Sequence, residues 1–294
     1  MSASVGIDIG GSSVKAVLVR PGRPDTLAQS QPYTRPDART LRACVADAVA
    51  KLDPFEHDDA RLGLSVPGLL DDAGRVTLAV NVPGLVGLDL ASMARDHLPK
   101  AEVTVVADAT AHACGYWTRT RAAGRMLALV MGSGVGAAVL DDGRPVTIEG
   151  ASPGHIGQVD VGACGLDETP IGPDGGRGSL EAFVSARALH ERFGDDIKRG
   201  LRDAPPHDPA LRALARAIRI CHAIYRPHRV ALLGGVGICF AERLDALRGL
   251  VAADLTSIAR SGWSLESGSD IHDGARGAAH LARKTDHIPN TKPI

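Results

Sequence analysis

The chain has few aromatic residues, no excess of charge and no long apolar run. Aromatic residues make up 3% of its 294 residues and hydrophobic residues 44%, so we expect an aliphatic core. Lysine and arginine number 33 and aspartate and glutamate 34, a net charge of −1 that gives no bulk attraction to nucleic acid or anionic membranes. No run of about 18 apolar residues and no signal-peptide pattern occur. These absences favour a cytoplasmic globular protein without a nucleic-acid or membrane partner.

Cysteine pairs with metal-binding spacing are also missing. The five cysteines stand singly at positions 44, 114, 164, 221 and 239, and there is no C-x-x-C. This spacing argues against a disulfide framework and against a simple zinc knuckle. We therefore expect the thiols to be reduced.

Short apolar runs alternate with helical periods, which is typical of an α/β protein. Strands are predicted over 5–9, 14–19, 62–66, 103–106, 126–131, 135–140 and 229–233. Helices are predicted over 39–52, 88–98, 109–121, 180–192, 208–226, 238–250 and 274–283. Residues 150–179 are rich in glycine, proline and aspartate and carry no clear period, which favours a functional loop.

Three glycine-rich turns follow predicted strands. They are Gly10-Gly11-Ser12-Ser13, Gly132-Ser133-Gly134 and Gly234-Gly235. Glycine after a strand lets backbone N–H groups approach phosphate oxygens without a Cβ in the way. None of the turns has the Walker A or the dinucleotide-binding spacing. Each alone is compatible with a tight hairpin turn, but three together, the first preceded by an acid, favour a nucleotide held between two lobes.

Asp8 ends the first predicted strand, beside a glycine turn. A carboxylate there can hold magnesium against nucleotide phosphates, directly or through water, or it can cap the turn through its own backbone. Lys15 in the next strand can supply positive charge near the phosphates. Strand alternation does not fix its direction toward the turn, so the pattern alone favours an orientation toward solvent.

Asp108 follows a predicted strand and begins a helix. It can serve as a helix N-cap, or it can face a ligand, because ligands bind at the carboxyl ends of strands in α/β sheets. His112 lies four residues later on the same helical face. A histidine in such an alanine-rich helix is more typical of a buried, hydrogen-bonded side chain than of a catalytic one.

Taken in order, these motifs resemble the ROK family of bacterial sugar kinases and repressors, within the sugar-kinase/Hsp70/actin superfamily. The phosphate and adenosine motifs of that family resemble V-G-I-D-I-G-G-S-S-V-K (5–15), G-S-G-V-G-A-A-V-L-D-D-G (132–143) and L-L-G-G-V (232–236). Its G-x-P-G segment, asparagine-led loop and G-C-L-E segment resemble G-L-S-V-P-G-L-L-D (63–71), N-V-P-G-L (81–85) and G-G-R-G-S-L-E (175–181). The family motif N-D-x-N-x-A-A-x-G aligns with A-D-A-T-A-H-A-C-G (107–115). Each match is modest, but their joint order is specific and spans nearly the whole chain.

The resemblance implies an α/β, two-lobed actin-like or ribonuclease H-like ATPase fold with the ligand cleft between the lobes. The first lobe is expected over 1–108, with a helix at about 274–284 packing back on it, the second over 109–273, and a tail over 285–294. It further implies a carbohydrate kinase, dependent on ATP and Mg²⁺, that phosphorylates a hydroxyl of a hexose, an amino sugar or a related polyol. A homodimer is implied as well.

The resemblance also implies roles for single residues. Asp108 is the expected general base on the sugar hydroxyl, and Asp8 is expected to hold magnesium through water. Nucleotide-binding positions are expected at Asp8, Gly10, Gly11, Ser12, Ser13, Lys15, Gly132, Ser133, Gly134, Gly234 and Gly235. Sugar-binding positions are expected at Pro67, Gly68, Asn81, Ala107, His155, Gln158 and Glu181.

Departures from the family pattern fall in the expected sugar pocket. The two asparagines of N-D-x-N are Ala107 and Thr110, and the E-x-G-H pair aligns with His155 and Gln158, which are also compatible with a solvated loop. The zinc loop C-x-C-G-x-x-G-C is reduced to Cys164 and its glycine, so we expect no structural zinc, which needs four N or S ligands. These changes leave the sugar acceptor open.

Two alternatives to an ATP-dependent kinase remain open. One is a sugar-binding sensor without efficient catalysis, which the altered pocket favours. The other is a sugar kinase that uses polyphosphate. A repressor of the same family is disfavoured, because a first phosphate motif at Asp8 is expected to leave no room for an N-terminal DNA-binding module, and because the net charge is −1.

Overall fold

The computed structural model describes residues 3–52, 61–71, 73–148 and 154–283. The chain divides into two compact units. Unit 1 comprises Met1–Arg121, Thr147–Ala151 and His272–Ile294, and unit 2 comprises Ala122–Val146 and Ser152–Ile271. In the described part of the chain, no helix is long and apolar enough to cross a membrane.

The strands and helices alternate along the chain. In order they are β1 (Ser4–Ile9), β2 (Val14–Val19), β3 (Thr26–Gln29), α1 (Ala38–Ala50), β4 (Arg61–Val66), β5 (Leu69–Leu70), β6 (Val76–Leu78), α2 (Leu90–Arg95), β7 (Glu102–Ala107), α3 (Asp108–Thr120), β8 (Arg125–Met131), β9 (Val135–Asp141), β10 (Arg144–Pro145), α4 (Glu181–Val184), α5 (Ala186–Phe193), α6 (Ile197–Asp203), α7 (Pro209–Tyr225), β11 (Arg229–Leu233), α8 (Gly234–Gly237), α9 (Leu244–Ala253), β12 (Ser264–Ser267) and α10 (Asp273–Ala282). Short 3-10 helices cover Pro83–Leu85, Ile156–Gln158 and Ile238–Arg243.

Unit 1 is built on a five-stranded sheet with the order β3-β2-β1-β4-β7. Strands β1, β2 and β3 pair antiparallel, whereas β4 is parallel to both β1 and β7. The hairpin predicted around the first glycine turn is therefore β1–β2. Its apolar side chains are buried apart from that of Val19, which is partly exposed, in keeping with the mainly apolar sequences of the two strands.

The backbone of helix α10 packs directly against the backbone of this sheet, because strand glycines face the helix. A Cβ at Gly6 of β1 would lie 1.8 Å from the main-chain oxygen of Ala275. A Cβ at Gly63 of β4 would lie 2.0 Å from the main-chain oxygen of Ala278. No side chain fits at either strand position, so the small residues set how closely the helix packs.

Glycines also allow close packing between α3 and α10. A Cβ at Gly115 would lie 1.9 Å from the main-chain oxygen of Asp273, and one at Gly277 would lie 1.7 Å from that of Ala111. Helix α3 consequently belongs to unit 1, and the boundary between the units follows Arg121. The family resemblance implies a boundary at residue 108, before the helix. Glycine spacing within a helix does not show which partner the glycines face.

Unit 2 is built on a second five-stranded sheet, with the order β10-β9-β8-β11-β12. Strands β8 and β9 form the predicted hairpin around the second glycine turn, and β11 runs parallel to β8 and β12. Helix α7 begins at Pro209 and is capped by Asp208, whose side chain accepts a hydrogen bond from the N–H of Ala210. Its apolar face, including Leu211, Leu214 and Ile218, is fully buried.

Some predicted elements differ in the structure. The helix predicted over 180–192 is divided into α4 and α5 at Ser185, which is extended (φ −69°, ψ 157°) and caps α5. Helix α6 and strand β12 were not predicted, since both are short and partly polar. The residues 154–179 form a long irregular segment with one 3-10 helix. The remaining positions of the predicted loop, 150–153, and the predicted tail, 285–294, lie outside the described residues.

Candidate active site

The carboxyl ends of β1, β4 and β7 meet at one edge of the unit 1 sheet. Asp8 pairs with Ser65 in the parallel register, and Ser65 pairs with Val106. Pro67 follows β4 directly, and Asp108 follows β7. The register therefore brings the expected acids and the Pro67 segment to the same end of the sheet, where ligands bind in open α/β sheets.

Asp8 is a buried carboxylate with one oxygen already hydrogen-bonded. Only 2% of its surface is exposed. The hydroxyl of Ser65 donates to Oδ1 at 2.6 Å, and Nε2 of His112 lies 3.8 Å from Oδ2. A Cβ at Gly274, at the start of α10, would lie 2.7 Å from Oδ2. Glycine at this position therefore makes room for the carboxylate.

The first glycine turn is held by Tyr33, which belongs to none of the sequence motifs. The N–H of Gly10 donates to the main-chain oxygen of Ser13 at 3.1 Å. The hydroxyl of Tyr33 donates to the main-chain oxygen of Gly10 at 2.7 Å, and its N–H donates to that of Ser12 at 2.8 Å. Burial, followed by the nearby Cys44 and Asp8, raises the pKa of the Tyr33 hydroxyl, which therefore stays a donor.

Lys15 reaches the first glycine turn. It pairs with Asp8 across the β1–β2 hairpin. A Cβ at Gly10 would lie 3.7 Å from Nζ of Lys15, so the ammonium group lies beside the turn. This position differs from the expected orientation toward solvent, because a long flexible side chain can bend along the hairpin.

Asp108 lies in the first turn of α3, where the helix dipole favours a negative charge. Its Oδ1 accepts a hydrogen bond from the N–H of Ala109 at 2.6 Å. The preceding residue, Ala107, is extended and offers no side-chain cap. Nδ1 of His112 lies 3.0 Å from the main-chain oxygen of Asp108, and His112 is 9% exposed. The histidine is thus buried and hydrogen-bonded, as its helical context indicates.

The segment after β4 requires glycine. Gly68 has a φ of +102°, and a Cβ there would lie 2.0 Å from the main-chain oxygen of Leu78. Any other residue would be strained and would collide with the backbone. Asn81, expected in the sugar pocket, is partly exposed in the loop between β6 and the 3-10 helix at Pro83–Leu85.

The other two glycine turns are neighbours in unit 2. Leu233 at the end of β11 pairs with Val130 near the end of β8. Gly234, with a φ of +79°, follows at once, and a Cβ there would lie 2.4 Å from the main-chain oxygen of Met131. The N–H of Gly132 donates to the main-chain oxygen of Gly134 at 2.9 Å. The register therefore places the second phosphate motif beside the adenosine motif.

Glu181 is tied to the strand that follows the second glycine turn. The N–H of Val135 donates to its Oε2 at 3.2 Å, and a Cβ at Gly157 would lie 3.0 Å from the same oxygen. Burial raises the pKa of Glu181 above its ordinary range, the Val135 hydrogen bond opposes this, and Asp174 adds to it. A buried carboxyl group with a raised pKa is typical of functional sites.

The pair aligned with E-x-G-H flanks that same glycine. His155 and Gln158 are both exposed; His155 precedes the 3-10 helix that contains Gly157, and Gln158 is the last residue of that helix. Nε2 of Gln158 donates to Asp174 at 3.1 Å. The structure thus brings His155, Gln158 and Glu181 into one part of unit 2, with the first two accessible from solvent.

Hydrogen bonds hold the Cys164 segment, which keeps only part of the family's zinc loop. Sγ of Cys164 donates to the main-chain oxygen of Val161 at 3.0 Å, and Nη1 of Arg216 donates to the same oxygen at 3.2 Å. Burial raises the pKa of the Cys164 thiol, although Arg216 and Arg212 oppose the shift. Within the described ranges, no group of three or more His, Cys, Asp or Glu side chains is placed to hold a metal ion.

A separate cavity of about 330 Å³ lies along α7 in unit 2. Its lining includes Asp160, Arg216, Arg219 and Asp254 and does not include Glu181 or either glycine turn. Arg219 and Asp254 form an ion pair with each other. The cavity is therefore distinct from the residues that the motifs indicate.

The model of the ROK family matches residues 4–285. The chain belongs to the ROK family. It is 28% identical over 270 residues to a kanosamine kinase of Amycolatopsis mediterranei, covering 84% of this chain and 85% of that one. It is 24% identical over 298 residues to an N-acetyl-D-glucosamine kinase of Aliivibrio salmonicida, covering 94% and 98%. The family and the ROK-type phosphotransferase class that the motifs predict are thereby confirmed.

Solved structures show the same fold. A ROK family glucokinase from Streptomyces griseus, in complex with glucose and AMPPNP, superposes with a TM-score of 0.72 at 18% identity, covering 96% of this chain and 100% of that one. A ROK hexokinase from Thermus thermophilus superposes with a TM-score of 0.68 at 21% identity, covering 96% and 99%. The predicted α/β, two-lobed actin-like fold class is confirmed for this ROK member.

Proposed function

We propose that the chain transfers the γ-phosphoryl group of ATP, in the presence of Mg²⁺, to a sugar hydroxyl. The observation that carries this proposal is the placement of Asp8 and Asp108 at the same edge of the unit 1 sheet. Asp8 lies near the end of β1 and Asp108 directly follows β7, and these two strands flank β4. Phosphoryl transfer needs neutralisation of phosphate charge and an acceptor for one proton. The buried Asp8 and the helix-terminal Asp108 supply one carboxylate for each requirement.

The side chains at this edge fit magnesium. Magnesium keeps several of its waters and takes one or two protein carboxylates together with substrate phosphates. Asp8 offers Oδ2 as an acceptor for a magnesium-bound water, because Oδ1 already accepts a hydrogen bond from Ser65. Bound magnesium would neutralise the phosphate oxygens, and the ammonium group of Lys15 beside Gly10 adds a second positive charge at the same turn.

Asp108 is the proposed general base. In the reaction, the sugar hydroxyl oxygen bonds to the γ-phosphorus, the bond from that phosphorus to the ADP oxygen breaks, and the hydroxyl proton passes to the Asp108 carboxylate. Its place in the first turn of α3 keeps the carboxylate partly exposed and oriented by the N–H of Ala109. A side chain so placed can accept a proton from a bound hydroxyl.

In unit 2, we assign the nucleotide to the adjacent turns Gly132-Ser133-Gly134 and Gly234-Gly235, and a sugar hydroxyl to Glu181. Bare backbone at both turns supports close approach by phosphate or ribose oxygens. Glu181 keeps one oxygen on Val135, so its other oxygen and its raised pKa suit it to a hydroxyl ligand.

An amino sugar is the acceptor that we favour. The kanosamine kinase and the N-acetyl-D-glucosamine kinase are both named for amino sugars. Ala107, Thr110, His155 and Gln158 replace the hydrogen-bonding residues of the family pattern. Because sites that pair with hydroxyl groups reject mismatched substrates strongly, these changes are expected to alter the preferred sugar.

The test is an ADP-release assay over glucose, kanosamine, N-acetyl-D-glucosamine and simple polyols. We expect turnover with at least one sugar and a fall in kcat of roughly 10²–10⁴-fold in Asp108→Asn, because the proton acceptor is lost. Asp37→Asn is the matched control, since Asp37 caps α1 in the same unit and asparagine caps equally well. Undiminished turnover in Asp108→Asn would contradict the assignment.

Two further outcomes decide the alternatives. Sugar-dependent thermal stabilisation without turnover on any acceptor would indicate a sensor. Turnover with polyphosphate at a higher kcat/KM than with ATP would replace the proposed phosphoryl donor.

A further inference from the structure

His112 lies between the two acids of unit 1. Nδ1 is 3.0 Å from the main-chain oxygen of Asp108, and Nε2 is 3.8 Å from Oδ2 of Asp8. The side chain is 11% exposed. A Cβ at Gly274 would lie 2.5 Å from Cε1 of His112. Because the start of α10 closes over the ring, the imidazole is held against both acidic residues.

The contact with Asp108 determines which ring nitrogen carries hydrogen. A carbonyl oxygen can only accept, so Nδ1 carries the hydrogen and donates it. In the neutral ring, Nε2 is then an acceptor. Oδ2 of Asp8 is an acceptor too, and the hydroxyl of Ser65 is directed to the other oxygen. His112 and Asp8 therefore present two acceptors to the same space.

One water molecule can donate a hydrogen bond to each of two acceptors at this separation. Hydrogen bonds of about 2.8 Å from the two O–H groups of one water can reach both atoms. Magnesium retains several waters in protein sites, and these waters are polarised donors. Protein groups that accept from metal-bound ligands orient those ligands and strengthen metal binding.

We propose that His112 is a positioning residue for the magnesium–nucleotide complex. Its Nε2 acts with Oδ2 of Asp8 as an acceptor for magnesium-bound water, while Nδ1 ties the ring to the first turn of the helix that carries Asp108. This inference rests on the proposed function. The motif N-D-x-N-x-A-A-x-G has alanine where this chain has His112, so the arrangement is a property of this chain and not of the motif.

The two nitrogens can be tested separately. Gln places its amide group near the position of Nε2, whereas Asn places its amide near Nδ1 and leaves the Nε2 position empty. The readout is thermal stabilisation of the full chain by a non-hydrolysable ATP analogue during a Mg²⁺ titration. We expect the Mg²⁺ midpoint to rise about tenfold or more in His112→Ala and His112→Asn and to stay near wild type in His112→Gln.

A purely structural role would give a different pattern. Alanine is the motif residue, so His112→Ala is expected to fold, which circular dichroism checks. We further expect kcat to fall in the Ala and Asn variants while the KM for the sugar stays unchanged. Wild-type midpoints in the Ala and Asn variants, or equal shifts in Asn and Gln, would overturn the inference.

The experiment distinguishes failure of the proposed function from failure of this inference. A wild-type protein that shows the Mg²⁺-dependent stabilisation but no turnover refutes the kinase and leaves the role of His112 intact. A wild-type protein without any Mg²⁺-dependent stabilisation overturns the inference itself, whatever its turnover.

Discussion

Ser65 donates a 2.6 Å hydrogen bond to Oδ1 of Asp8, and both side chains are buried at the carboxyl edge of the unit 1 sheet. We expect Ser65→Ala to lower the free energy of unfolding by about 1.5–3 kcal/mol, because a buried carboxylate oxygen loses its donor. Urea unfolding of the two proteins measures the difference. The Mg²⁺ requirement for nucleotide binding should rise as well, since Asp8 is then free to turn.

Ser4 supplies the matched control for this prediction. It lies on β1, is fully buried, and its hydroxyl has no hydrogen-bond partner in the described structure. Ser4→Ala removes the same atoms without breaking a bond, so we expect stability to stay unchanged or to rise. An equal loss in Ser4→Ala and Ser65→Ala would show that the Asp8 contact adds nothing.

The close packing of α3 on α10 leads to a second prediction. A Cβ at Gly277 would lie 1.7 Å from the main-chain oxygen of Ala111, so Gly277→Ala must push the helices apart. We expect a loss of roughly 1–3 kcal/mol or more in unfolding free energy, measured by urea denaturation. Gly249 in α9 has open space around it, and Gly249→Ala should instead stabilise by roughly 0.5–1 kcal/mol. A stable Gly277→Ala would contradict the packing.

The sequence predicted the parts of the site that depend on local pattern. Apolar runs separated by glycine-rich turns predict both hairpins, and the acids next to strand ends identify Asp8 and Asp108 as candidates. Parallel pairing then brings strand ends together whatever the remaining sequence is, so the placement of these acids at one edge follows from the order of elements.

Contacts between distant segments were not predictable in the same way. Tyr33 binds the first glycine turn from beyond β3, and its residue type alone gives no hint of a partner. In the sequence, Gly6 and Gly63 are indistinguishable from other strand glycines. In the structure each makes room for α10, which lies more than two hundred residues later in the chain. The helical context correctly indicated that His112 is buried. Its contact with Asp8 could not be predicted, because Asp8 lies on a strand about a hundred residues earlier and only the tertiary fold brings the two together.

The Cys164 loop predicts how the protein responds to metal removal. The thiol of Cys164 donates to Val161, its pKa is raised by burial, and zinc binds the thiolate form. We therefore expect dialysis against EDTA to leave the thermal unfolding midpoint of the nucleotide-free protein unchanged. Cys164→Ser keeps a hydroxyl donor to Val161 and should behave likewise. A midpoint that drops with EDTA and recovers with Zn²⁺ would refute this prediction.

The raised pKa of Glu181 leads to a prediction about how the stability of the protein depends on pH. Burial raises the pKa of Glu181 in the folded protein above the value of about 4.3 that an exposed glutamate has. The folded state therefore binds this proton more tightly than the unfolded state, and its contribution to stability is present below about pH 4 and is lost as the pH rises through the folded pKa. Glu181→Gln removes the ionisation and keeps an acceptor for Val135.

We accordingly expect Glu181→Gln to unfold at a higher urea concentration than wild type at pH 7, with the difference shrinking toward pH 4. Exposed Glu168 gives the matched control, and Glu168→Gln should change stability by less than about 0.5 kcal/mol at either pH. The gain should accompany weaker sugar binding, because a residue that holds a ligand at the expense of stability is typical of an active site. If Glu181→Gln were less stable at pH 7, the Val135 hydrogen bond would have to outweigh burial.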